Sequence, residues 1–126
     1  MPIFYFVPDQ GDDVLKKPLT AERLLRSLGA TGKLAGFRYT VYMIERIQED
    51  PEQLQLITKR LYQETGKKFN VSAASVERNL RTLIHFRWNS TEHSLLEHIS
   101  GTALRSPPTN SEFLDILASY LREMGS

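Results

Sequence analysis

No cysteine occurs among the 126 residues, which excludes disulfides, thiolate metal sites and cysteine nucleophiles together. Stability has to come from packing, and a hydrophobic content of 40% is enough for one core in a chain about the size of one domain. Long apolar runs are missing as well. The opening segment from Met1 to Pro8 is apolar but far shorter than a membrane span, and it lacks the charged lead and cleavage site of a secretory signal. The expectation is a cytoplasmic protein without membrane attachment. Gly-rich phosphate loops, nucleophile elbows and metalloprotease helix motifs are also absent. His85, His93 and His98 have no cysteine or paired carboxylate beside them, and His93 and His98 do not share a helix face. They read as solvent or interface residues. Neither an enzyme nor a metal or cofactor protein is expected.

A net charge of only +1 would ordinarily speak against nucleic acid, because phosphate neutralisation needs concentrated Lys and Arg. The distribution is more informative than the total. From Lys59 to Arg87 stand Lys59, Arg60, Lys67, Lys68, Arg78, Arg81 and Arg87 against Glu64 and Glu77, a local +5 that leaves the rest of the chain at −4. That asymmetry fits a basic binding face on an acidic body, and charge alone fits a solvated helix pair equally well.

Residues 1 to 19 stand apart: a β-prone run from Ile3 to Val7 lies between Pro2 and Pro8, followed by an acidic stretch and Lys16-Lys17-Pro18. This predicts a short extended arm or linker remnant ahead of a helical domain over 20–126. Thr20 is placed to cap a helix bearing Leu24, Leu25 and Leu28, ended by Gly29. A second helix is predicted from about Lys33 to Gln48, with Leu34, Phe37, Val41, Ile44 and Ile47 facing a core. Asp50-Pro51 signals a third start, continued by Leu54, Leu56, Ile57 and Leu61. Beyond Trp88, Ser90 or Thr91 is expected to open a helix carrying Leu95, Leu96 and Ile99, with Gly101 at its end. After a loop with Pro107-Pro108, Thr109 and Glu112 have capping-box spacing ahead of a stripe of Phe113, Ile116, Leu117, Tyr120 and Leu121. The fold class is therefore all-α, a compact bundle of about six helices.

The informative stretch runs from Leu61 to Trp88. A short helix ends near Lys68, Asn70 can adopt the left-handed conformation of a tight turn, and Ser72 can cap the next helix: the layout of a helix-turn-helix. Gly66 sits where the first helix needs a small side chain to approach the second, or where an ordinary helix end would fall. On a helical wheel Val76, Leu80, Leu83, Ile84 and Arg87 share one side of the segment 73–88. Ala74, Ser75, Arg78, Arg81, Thr82 and His85 share the other, with Glu77 at its flank. Small residues near the N-terminus followed by arginines suit a helix entering the DNA major groove, where Arg can bond guanine O6 and N7 together. Trp88, beside the apolar stripe, reads as a core anchor.

From about Gly32 onward the chain resembles the C-terminal effector domain of the stage-zero sporulation response regulator, the master transcription factor of endospore-forming Firmicutes. The resemblance rests on Gly36-Phe37-Arg38-Tyr39, Ile57-Thr58-Lys59, Leu61-Tyr62, Lys67-Lys68-Phe69-Asn70, Val76-Glu77-Arg78, Arg81, Trp88 and the run from Pro108 to Phe113. It implies an all-helical DNA-binding domain, paired head to tail on tandem sites of double-stranded DNA. Base reading would fall to Arg78 and Glu77, with Ser75 where the family has a second base-reading Arg. Phosphate contacts would fall to Lys67, Lys68, Ser72, Arg81 and Thr82, the last standing where the family has His; Ala74 replaces a Ser. The family's contact with the RNA polymerase sigma factor maps to Ser94 to Leu104, where little beyond Gly101 matches. Its receiver domain finds no counterpart in residues 1 to 31, which implies an excised effector or a stand-alone relative. The competing reading is a protein-interaction module descended from a helix-turn-helix that no longer reads sequence.

Overall fold

The computed structural model describes residues 19–90 and 93–125. Within them the chain forms α1 (Ala21–Ser27), α2 (Gly36–Glu49), a 3-10 turn (Pro51–Leu54), a π-turn (Ile57–Leu61), α3 (Tyr62–Phe69), α4 (Ala73–Ser90), α5 (Ser94–Ser100) and α6 (Asn110–Gly125). The arm expected over 1–19 lies, except for Leu19, outside the described residues.

Local chemistry sets most of the boundaries. Thr20 Oγ1 accepts from the Arg23 N–H at 3.1 Å, Glu22 and Arg26 pair one turn apart, and Gly29 leaves α1 at φ 98°. At α6 the capping box is reciprocal: the Thr109 N–H donates to the Glu112 carboxylate at 2.9 Å, and the Glu112 N–H donates to Thr109 Oγ1 at 3.1 Å. Gly101 ends α5 at φ 83°.

α2 is the spine, packed against α6, α4, α1 and α3. It starts one turn later than Lys33, because the residues before Gly36 close turns of their own, with the Leu34 N–H on the Thr31 carbonyl at 3.0 Å. Gly36 marks the crossing of α2 over α4: a Cβ there would lie 2.5 Å from the Asn79 carbonyl oxygen. The inward face is broader than the expected stripe. Phe37, Ile44 and Ile47 are buried, and so are Met43 and Thr40, whose hydroxyl donates to the Gly36 carbonyl at 2.6 Å. Across from them α6 buries Phe113, Leu114, Leu117, Ala118 and Leu121.

Three expectations need correction. The start at Asp50-Pro51 yields only the 3-10 turn, capped by Asp50. The chain is then re-phased by the π-turn, in which the Leu61 N–H reaches the Leu56 carbonyl five residues back at 3.1 Å. α3 therefore enters in a new register with Leu61, Tyr62, Thr65 and Gly66 inward. Next, α4 runs through Ser90 and α5 begins at Ser94, so Ser90 closes one helix and does not open the next, while Thr91 lies outside the described residues; within α5 Leu95 is exposed and Ile99 is buried. Finally, Trp88 is only half-buried. Its ring stacks on His93 at 3.5 Å with 7° between the planes, joining the end of α4 to the start of α5.

Candidate nucleic-acid interface

The turn between α3 and α4 is built from three side-chain choices. Asn70 ends α3 in the left-handed region at φ 60° and ψ 46°, a conformation its short polar side chain tolerates and a β-branched one does not. Val71 N–H then bonds the Gly66 carbonyl at 2.9 Å, and a Cβ on Gly66 would lie 2.5 Å from the Val71 carbonyl oxygen. Gly66 is thus the close-approach residue of a helix-turn-helix, not a helix end. Ser72 completes the turn, its Oγ accepting from the Ser75 N–H at 3.0 Å.

α4 carries 18 residues and divides as the wheel requires. Val76, Leu80, Leu83 and Ile84 are at most 2% exposed. Ala74, Arg78, Arg81, Thr82 and His85 are exposed, and Ser75 and Glu77 lie half-buried at the margins. At about 100° per residue, Ser75 and Thr82 fall on one side of Arg78 and Arg81 and Glu77 on the other. Arg78 is the exposed centre of that face and has no ion-pair partner among the described residues. Ser75 is held by Asn79, whose amide donates to the Ser75 carbonyl at 2.8 Å and to its hydroxyl at 3.1 Å. Glu77 and Arg81 pair at 3.3 Å with about half of each side chain in water. Lys67 and Lys68 lie in the last turn of α3 and are exposed, as is Ser72.

Two supports were not evident from spacing. Asn110, at the start of α6, donates through its amide to the Tyr62 hydroxyl at 3.0 Å and to the Glu77 carbonyl at 3.2 Å, so one side chain ties α6 to both helices of the motif. Its only sequence signal was its place in the run Pro108 to Phe113. Beneath α3, the Glu64 carboxylate accepts from the Tyr42 hydroxyl at 2.6 Å and from the Arg46 guanidinium of α2. Those two donors hold the Glu64 carboxyl below its ordinary range, while burial and the adjacent carboxylate push the Tyr42 phenol up.

A family model described as "Sporulation initiation factor Spo0A C terminal" matches residues 21–121, from the first residue of α1 into the last turns of α6. The chain belongs to the Spo0A C-terminal family. That is a family of DNA-binding regulatory domains of sporulation, not of enzymes, and the matched span includes the whole of α3, the turn and α4. Among the described residues no group of three or more His, Asp or Glu side chains is placed to hold a metal ion, and no helix is long and apolar enough to cross a membrane.

Proposed function

We propose that this Spo0A-type domain binds duplex DNA with sequence preference by laying α4 in the major groove, as a regulator of transcription. The observation that carries it is Arg78: exposed, without an ion-pair partner among the described residues, and central on a face whose first turn carries only small side chains. An arginine in that position can approach guanine O6 and N7 together. Glu77 reads a neighbouring base by accepting from a cytosine amine, with Ser75 at the edge of the reading surface. Its pairing with Arg81 is an exposed one of small worth, easily exchanged for DNA contacts. Lys67, Lys68, Ser72, Arg81 and Thr82 hold backbone phosphates on either side. Head-to-tail pairing on tandem sites and a sigma-factor contact through Ser94 to Leu104 belong to the same proposal by analogy with the family, and the exposed Leu95 supports the latter.

The test is affinity for a duplex selected from a random library against a scrambled one at fixed salt. Arg78→Ala should cost about 1–3 kcal/mol on the selected site and relax preference at one base pair, whereas Arg81→Ala should weaken both duplexes alike. Equal losses for Arg78→Ala on both would remove it as the reader. Failure to bind any duplex at low salt would favour the interaction module, for which Phe86, half exposed on α4, offers an apolar contact.

A further inference from the structure

We infer that Arg38, on α2 and outside the helix-turn-helix, is an additional backbone-phosphate contact for the duplex held by α3 and α4. The inference rests on the DNA-binding reading above and extends its footprint to a helix otherwise occupied with the core. Arg38 is exposed on α2, and its guanidinium lies 5.3 Å from the centroid of the Phe69 ring. Lys68 reaches the same ring from α3 at 5.8 Å, and the Tyr42 ring at 5.4 Å. Tyr39 and Tyr42 in turn fix Phe69, at centroid distances of 5.1 and 5.9 Å. Two cations from different helices thus share one aromatic platform.

Neither cation has a carboxylate partner among the described residues, and the acids nearby are accounted for. Glu22 is held by Arg26 at 3.1 Å, and Glu64 is taken by Tyr42 and Arg46. Glu45 borders the same surface hollow of about 400 Å³ as Arg38 and Lys68. It lies two turns along α2 from Arg38, about 10 Å by helical rise and close to the Debye length at about 0.1 M salt. Like charges bordering one hollow repel, and an anion bound there relieves the repulsion. The platform's place in the chain identifies the anion: Phe69 is the last residue of α3, directly before the turn that feeds the N-terminus of α4. A duplex engaged by that N-terminus runs its backbone past the turn. Aromatic contact also restricts the Arg38 side chain before binding, which reduces the ordering cost of the phosphate contact.

The experiment measures binding of the full chain to a labelled random-sequence duplex by fluorescence anisotropy, between about 50 and about 200 mM salt, where each phosphate contact makes affinity fall by a further factor of roughly 3.5. Arg38→Ala and Arg38→Gln should each reduce the slope of log affinity against log salt by about one. The advantage of the unaltered chain should shrink by that factor of roughly 3.5 across the range, and Arg38→Lys should keep the slope. Lys67→Ala serves as the reference contact. A flatter slope for Lys67→Ala with an unchanged slope for both Arg38 variants would overturn the Arg38 assignment alone. Absence of salt-dependent binding by the unaltered chain would overturn the DNA reading and Arg38 with it. Because Arg38 is exposed, far-UV circular dichroism should show both variants as helical as the parent; a slope change accompanied by lost helicity counts against the assignment.

Discussion

Gly36 and Glu64 show how single residues govern the way the helices meet. At Gly36 the obstacle to a side chain is backbone, the Asn79 carbonyl 2.5 Å from where a Cβ would sit, so no rotamer change relieves it. Gly36→Ala should lower stability by about 1–3 kcal/mol, read in a urea melt, even though alanine is the better helix former. A neutral or stabilising result would mean that α2 and α4 separate freely. Glu64 is a different case, an ion pair with 26% and 32% side-chain exposure for Arg46 and Glu64. Because the folded carboxyl titrates below the unfolded one, its contribution is fully present above the ordinary carboxylate range and is lost as pH falls through the depressed folded value. Glu64→Gln should cost about 1 kcal/mol at neutral pH, low for a charge-assisted hydrogen bond because water still reaches the pair. The difference between variant and parent melting temperatures should close as pH drops below about 4. A pH-independent difference would mean that the carboxylate charge contributes nothing.

At the scale of elements, the caps were the most legible features. Thr20, Gly29, Gly101 and the Thr109–Glu112 box behave as their chemistry requires, because a cap satisfies backbone groups within one turn and depends on nothing distant. Thr109→Ala should destabilise by about 1 kcal/mol. It should also loosen the neighbouring Asn110, whose amide ties α6 to Tyr62 and Glu77, so amide exchange should quicken at the first turn of α6 before it quickens elsewhere. Uniform quickening across the helices would deny the box any local role. Periodicity was less dependable where a segment's burial is set by neighbours. The chain from Asp50 to Leu61 has helix-compatible residues throughout, yet it divides into a 3-10 turn and a π-turn, since Leu61 and Tyr62 must both turn inward at the start of α3. Trp88 flanks the apolar stripe of α4, as a core anchor would, yet it is only half-buried and stacks on a histidine at the margin.

For the whole molecule, the uneven charge matters more than the total of +1. The segment from Lys59 to Arg87 carries +5, and Lys67, Lys68, Arg78 and Arg81 from it are all exposed. Binding to non-specific duplex should therefore fall steeply with salt, with a log–log slope corresponding to about three to five phosphates. A slope near zero would sink the electrostatic grip.

The helical class, the helix-turn-helix, the division of α4 into apolar and polar faces and the family likeness are all legible in the order of the residues. Each of these depends on residues a few positions apart, where helical geometry fixes which side chains are neighbours. Tertiary structure alone decided that Arg38 joins Lys68 over Phe69, that Asn110 pins α4, and that Gly36 carries the crossing of α2 over α4. Those contacts join residues 30 or more positions apart, and a one-dimensional pattern holds no information about which helix faces meet until the core has packed.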